Sequence, residues 1–347
     1  MKSSQTSSVN TASSNKINNI HNCKVIQSEK KMPLKQVTIK APATSANLGP
    51  GFDVFGIALE QPNDKVTLTA IKQGIKIQTI GIGAKTISLS PEKNTAGLVA
   101  KTMIKDFKLN SGLRIRVEKG VFPGKGLGSS AASAAAVAVG INTMFDLGLD
   151  NKQLIGYAAK GEVASAGSEH ADNVSAAVCG NFVLIRSYKP LDIINLECPK
   201  DMELAVAMPK MVTPPNKTEK ARAVIPKLVP LESHVHNLGK AAAMAAGFAM
   251  GNVDIVGRSM VDDIVEPVRA SLIPGFSSVR ENALNAGALG VTISGAGPTM
   301  IAIVDRKTGD AAKVAVAMRE GFLSAGYDSN VFATKPGKGA CVVEMKQ

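Results

Sequence analysis

Gly124, Gly126 and Gly128 alternate with Lys125 and Leu127 and open onto Ser129, Ser130, Ala131, Ala132 and Ser133, small residues that favour a helix. Such spacing predicts a loop whose backbone takes positive φ and approaches a ligand closely, feeding a helix from Ala131 to about Phe145. The helix would turn unpaired N–H groups and its positive dipole end toward that loop, the layout of a phosphate cradle. Ser129 and Ser130 can cap the helix or offer hydroxyls to a phosphate or to Mg²⁺. The spacing matches neither G-x-x-x-x-G-K-[ST] nor G-x-G-x-x-G. A tight turn entering a buried helix is the reading that needs no ligand.

Further groups have chemistry of their own. Lys40 to Asp53 reads as a strand end running into a Pro/Gly loop, where Asn47 and Asp53 can bind the ammonium and hydroxyl of a small zwitterion or form an Asx turn. Glu162 ends one helical pattern, and His170, Ala171, Asp172 and Asn173 follow in the next loop or helix start. One Glu, one Ser hydroxyl and phosphate oxygens suffice for Mg²⁺, whereas a helix cap and a solvated acid are the plain alternative. Thr218, Arg222 and Arg269 add a hydroxyl and two guanidiniums, suited to bidentate capture of a carboxylate. Ser294 to Thr299, built on Gly295 and Gly297, is a turn that can press its backbone against a ligand or another loop.

These residues need a scaffold. Val37 to Ala41, Lys65 to Ile71, Ile75 to Thr79 and Leu113 to Glu118 read as strands. The glycine loop and its helix follow, then a helix from Asn151 to about Ala166 and a strand from Phe182 to Ile185. Pro190, Pro199, Pro209, Pro214 and Pro215 mark a connection. Beyond it come a strand from Leu204 to Met208 and helical patterns near Thr218 to Ile225, His236 to Met250, Asn252 to Val261 and Ser277 to Ala288. Strands Gly290 to Ser294 and Thr299 to Val304, a helix from Gly309 to Ala325 and a strand from Val331 to Thr334 close the pattern. The class is α+β, with a ferredoxin-like second half.

The totals exclude several functions. Net charge is +12 over 347 residues, and about a third of the excess lies in a Ser/Asn-rich stretch before residue 32. With no Trp and three Tyr, aromatic stacking on nucleic acid is a poor reading, and attraction of anionic substrates is the simpler one. Cys23, Cys179, Cys198 and Cys341 have no metal-ligand spacing and read as reduced thiols of a cytoplasmic protein. The Ala131 to Ile141 run is too short and alanine-rich to span a bilayer.

Taken in order, the three glycine motifs resemble the GHMP small-molecule kinases. Pro123 to Ala132 looks like that superfamily's ATP loop, and Thr44 to Asp53 with His170 to Asn173 is similar to homoserine kinases rather than mevalonate, galactose or shikimate kinases. The resemblance implies a GHMP kinase fold, with an N-terminal domain like ribosomal protein S5 domain 2 and a ferredoxin-like C-terminal domain. It sets an ATP-binding domain at 35–200 and the C-terminal domain at 201–347, while the Ser, Asn, Thr and Lys-rich composition of 1–34 reads as a disordered tail. It also implies transfer of the γ-phosphoryl of ATP to L-homoserine, with Mg²⁺, by a homodimer that binds neither nucleic acid nor membrane.

Asn47, Asp53, Asp172, Asn173, Arg222 and Arg269 would hold the amino acid. Pro123, Gly124, Lys125, Gly126, Leu127, Gly128, Ser129, Ser130, Ala131, Ala132 and Ser133 would wrap the phosphates, and Asn94 would touch the adenine. Ser130 and Glu162 would hold the metal, and Thr218 would approach the γ-phosphate or hydroxyl. Asp172 would orient the hydroxyl or take its proton. The competing readings are a kinase of the same superfamily acting on another small alcohol and a non-catalytic nucleotide-binding regulator.

Overall fold

Alternation of apolar and polar residues lays down two sheets, and the computed structural model describes residues 34–166, 171–212, 214 and 217–347. The N-terminal stretch expected to be disordered, and His170, therefore lie outside the described residues, apart from residue 34. The chain runs β1 (Gln36–Ala46), β2 (Phe55–Ile71), β3 (Ile75–Gly81), α1 (Thr95–Asp106), β4 (Gly112–Lys119), α2 (Ser129–Phe145), α3 (Asn151–Ala166), α4 (Ala171–Cys179), β5 (Phe182–Tyr188) and β6 (Leu191–Leu196). It continues through β7 (Met202–Pro209), α5 (Lys217–Ala223), α6 (Leu231–Met250), α7 (Val253–Arg258), α8 (Glu266–Ala270), α9 (Phe276–Asn285), β8 (Gly290–Ile293), β9 (Met300–Asp305), α10 (Ala311–Ser324), β10 (Ser329–Thr334) and β11 (Cys341–Lys346).

In the first sheet the strands run β11-β1-β2-β4-β3, and β5, with β6 beyond it, pairs with the first residues of β2. Only β3 and β4 are parallel there, joined by α1 as such a connection requires. The second sheet has the order β10-β7-β9-β8, all antiparallel, which is the ferredoxin-like arrangement expected of the second half. One apolar core extends from Val37 and Phe55 through α2 to Leu204, Phe248 and Ile301. Phe182 of β5 stacks on Phe248 of α6 with ring centroids 3.8 Å apart, so residues of both halves share it. A second core lies between the second sheet and α9 and α10.

The structure corrects the expected elements in several places. β1 does not stop at Ala41 but continues to Ala46, with a register shift between Pro42 and Thr44 where proline removes an amide donor. β2 starts at Phe55, ten residues before the alternation becomes obvious, because Phe55 to Leu59 are buried without a break. α2 begins two residues early, at Ser129. α1, α8 and β6 had no clear signal, and the pattern does not close at Thr334: β11 returns to pair with β1.

Alanine-rich α2 packs against β1 and β2 on one side and α1, α3 and α4 on the others. A helix enclosed this way needs small residues all round, not one apolar face. A Cβ on its Gly140 would meet Leu68 and Ile39 of the sheet. This central helix aims its N-terminus at the junction of the three glycine motifs.

Candidate active site

The three motifs are tied to one another by backbone. Gly295 N–H donates to the Ala46 carbonyl at 3.0 Å, Thr44 N–H to the Leu127 carbonyl at 3.1 Å, and Thr299 N–H to the Lys125 carbonyl at 3.3 Å. The Ser294 hydroxyl bridges the other two, lying 2.6 Å from the Gly126 carbonyl and 2.9 Å from Ser45 Oγ. The 294–299 turn is therefore a clip between loops, one of the roles its sequence allows, and its Gly295 and Ala296 also line the cavity beside the glycine loop. Gly124, Gly126 and Gly128 all have positive φ, and Gly128 ends the loop in the left-handed region as the N-cap of α2. Among the described residues no side chain caps that helix, and its first-turn N–H groups are directed at the loop.

Gly126→Ala tests the clip. A Cβ there would stand 2.7 Å from the Gly297 carbonyl oxygen, closer still to that of Ser294, and at a φ of 87°. Strain and crowding together are expected to cost about 2–4 kcal/mol. Gly239→Ala on α6, where nothing lies within 4 Å, is the control and should be neutral or stabilising. Denaturant midpoints of both variants check this.

Beside the loop lies a cavity of about 450 Å³. Its wall brings together Asn47, Asp53, Asn94, Pro123, Gly124, Gly126, Gly128, Ser129, Ser130, Ser133, Glu162, Asp172, Asn173, Thr218, Arg222 and Arg269. Leu127, Ala131 and Ala132 are instead fully buried in the core and anchor the loop from behind. Lys125 turns its ammonium away, to the Met211 carbonyl at 2.6 Å. Asn94 caps α1 through Gly97 N–H and donates to the Ser88 carbonyl at 2.7 Å, so its amide is already engaged in shaping the wall.

At one end of the cavity the Ser130 hydroxyl donates to Glu162 Oε2 at 2.8 Å. Glu162 is buried on α3, and burial pushes its carboxyl up to about 7, with the Asp172 charge adding to the rise while Ser130 and Lys119 oppose it. Beneath them lies a feature that no sequence motif announced. Lys119 and Asp64, both buried, form an ion pair, and the same ammonium donates to the Ser129 carbonyl at 2.7 Å and to Ser133 Oγ at 3.1 Å. Asp64 Oδ1 accepts the N–H groups of Gly120 and Val121, each at 3.0 Å. Ser129 and Ser133 thus spend their hydroxyls on the scaffold: Ser129 Oγ donates to the Val121 carbonyl at 2.9 Å, and Ser133 Oγ lies 3.1 Å from Asp64 Oδ2. Only Ser130 of the three directs its hydroxyl to Glu162.

The other end is zwitterionic. Arg222 Nη2 reaches both carboxylate oxygens of Asp53, at 2.8 and 2.9 Å. Arg269 is buried and donates to the carbonyls of Ala221 and Gly295, both at 3.1 Å. Both guanidiniums lie over the Phe52 ring, 5.2 and 5.1 Å from its centroid, a spacer the sequence reading passed over. Asn47 Nδ2 donates to the same Gly295 carbonyl at 2.8 Å, and its Oδ1 accepts Asp53 N–H at 3.0 Å. Asp172 and Asn173 lie in the first turn of α4, where Asn173 Oδ1 accepts the Thr44 hydroxyl at 2.8 Å and Asp172 Oδ1 accepts Asn173 N–H at 2.7 Å. Tyr188 also closes on this end, its hydroxyl 2.5 Å from the Asp53 carbonyl, and burial raises its pKa. The cavity therefore brings hard oxygens and a helix N-terminus together with paired cations and carboxylates, and Asp172 and Asn173 adjoin both groups.

Comparison with known proteins matches residues 94–181 to the GHMP kinases N terminal domain and residues 242–322 to the GHMP kinases C terminal domain. A homoserine kinase of Methanococcus vannielii is 43% identical over 315 residues, covering 90% of this chain and 100% of that protein. One from Natronomonas pharaonis is 44% identical over 304 residues, covering 88% and 99%. The crystal structure of homoserine kinase from Cytophaga hutchinsonii superposes with a TM-score of 0.83 at 36% identity, covering 89% of this chain and 98% of that one.

Proposed function

The chain belongs to the homoserine kinases of the GHMP kinase family, and we propose from that premise how its residues divide the work. The enzyme transfers the γ-phosphoryl group of ATP to the side-chain hydroxyl of L-homoserine, giving O-phospho-L-homoserine for threonine biosynthesis. The hydroxyl oxygen bonds to the γ-phosphorus, the bond from that phosphorus to the β,γ-bridging oxygen breaks, and the hydroxyl proton is released. The observation that carries the division of labour is that one cavity is lined both by the glycine loop at the N-terminus of α2 and by Asp53, Arg222 and Arg269.

The loop from Pro123 to Ser133 wraps the phosphates through backbone N–H groups, with α2 aimed at them. Ser130 Oγ and the Glu162 carboxylate are hard oxygen donors side by side, and a carboxyl raised to about 7 by burial gains from a cation there. That donor set fits Mg²⁺, which when bound neutralises charge on the transferring phosphoryl group. Arg269 and Arg222 take the amino-acid carboxylate, while Asp53, Asn47 and Asn173 face its ammonium. Asp172 orients hydroxyl and ammonium without taking the proton in the rate-limiting step, and Thr218 approaches the γ-phosphate. Asn94 shapes the adenine end by capping α1. Division of the chain at 200 and assembly as a homodimer belong to the same reading and rest on the family resemblance, whereas a cytoplasmic setting rests on the scattered cysteines.

The test is an ADP-release assay with ATP·Mg²⁺ and a panel of small alcohols. Homoserine is expected to give the highest kcat/KM, and a much better alcohol would replace it as substrate.

A further inference from the structure

Lys217 opens α5 and lines the cavity next to Thr218. Its ammonium donates to the Gly297 carbonyl in the clip between β8 and β9. That same carbonyl oxygen stands 2.7 Å from the space a Cβ on Gly126 would fill, so Lys217 Nζ is held at the edge of the phosphate loop. The charged groups acting on it are Lys125 from the loop and Arg269 from α8, both cations. Among the described residues it forms no ion pair with a carboxylate, and its acceptor is a neutral carbonyl.

The contrast with Lys119 is instructive. That buried lysine is answered by Asp64. Lys217 is half-buried beside like charge with no such answer, and loss of surrounding water, with the Arg269 and Lys125 cations adding, pushes its ammonium down to about 7. An ammonium set beside like charge is stabilised by pairing with an anion.

We propose that Lys217 is a catalytic cation, whose ammonium, steadied by the Gly297 carbonyl, pairs with the terminal phosphoryl group of the bound nucleoside triphosphate. It carries charge on the transferring group as the bond to the bridging oxygen loosens. Lys125 cannot take this part while its own ammonium is turned to Met211.

The inference rests on the assignment of the loop to ATP, and calorimetry separates the two claims. Wild-type enzyme is titrated with ADP·Mg²⁺ and with the non-hydrolysable AMP-PNP·Mg²⁺; failure to bind either sinks the loop assignment. Lys217→Met is expected to weaken AMP-PNP by about tenfold or more, as loss of one charge-assisted hydrogen bond does, while ADP stays within about twofold. Its kcat should fall with KM for homoserine little changed, and Lys217→Arg should recover part of the preference for the triphosphate. Equal weakening of both nucleotides with a lowered thermal midpoint would mean that Lys217 only ties α5 to the clip, and overturns the proposal, as would no change in either affinity. Should Lys217→Met not fold, Lys217→Gln carries the same comparison.

Discussion

Replacement of Glu162 by glutamine is expected to lower kcat by about 10²–10³-fold and, at the same time, to stabilise the ligand-free protein above pH 7. The first effect follows from losing the anionic oxygen proposed to hold Mg²⁺, and the second from burial. In the folded chain the carboxyl is pushed from 4.5 up to about 7. Between those two values the native state binds a proton that the unfolded state has released. Stability contributed by this group is therefore complete below about pH 4.5 and is lost as pH rises through about 7, a difference of about 3 kcal/mol. Glutamine does not titrate, so between pH 5 and 8 the wild type's denaturation midpoint should fall relative to the variant's, the titration of Lys217 being common to both curves. Addition of Mg²⁺ with ADP should restore the wild type more at pH 8 than at pH 5, and should do little for the variant. Parallel midpoint curves for the two proteins would contradict the burial argument, whatever happens to kcat.

The fate of Asp64 and Lys119 shows where the sequence stops being legible. The alternation of Leu113, Ile115 and Val117 puts Lys119 in the inward phase of β4, just as Val66 and Leu68 put Asp64 in the inward phase of β2. The paired register of Lys65 with Glu118, extended by one step, sets them opposite each other. Both expected strands stop one residue short of the pair, because a charged residue at an inward position reads as a strand end. Alternation alone could have flagged two inward charges of opposite sign; only the antiparallel register joins them.

Site residues grouped along the chain were easier to read. The glycine loop, Asn47 with Asp53, and Asp172 with Asn173 each announce themselves by local spacing, and the folded chain gathers them around one cavity. Phe52 and Lys217 were harder. Phe52 acquires a role only when Arg222 and Arg269 arrive over its ring, and Lys217 only when the Gly297 turn meets the phosphate loop. β11 was missed for a related reason: Val342, Val343 and Met345 of this edge strand are all exposed, so it shows no inward alternation.

Lys119→Met should be the most destabilising single change at the site, costing about 3–5 kcal/mol. Asp64 is fully buried, and without the ammonium its charge retains only the Gly120 and Val121 N–H groups and the Ser133 hydroxyl. Asp64→Asn alone leaves the ammonium unanswered, so it too should be costly. Asp64→Asn with Lys119→Met removes both charges and should recover much of the loss, because a missing pair is cheaper than a broken one. The consequence for catalysis comes through position. Lys119 holds the Ser129 carbonyl, and Asp64 holds the backbone just before the glycine loop, so the pair fixes the first turn of α2 against the strand that feeds it. Even where the double variant is nearly as stable as the wild type, its affinity for ADP should remain reduced, since the first turn of α2 has lost the ammonium that anchored it. Denaturant unfolding of the four proteins, read beside ADP titrations of the same samples, checks both parts. A single-variant loss below about 1 kcal/mol would place the pair among surface-like salt bridges, and recovery of ADP affinity in step with stability would confine its role to the fold.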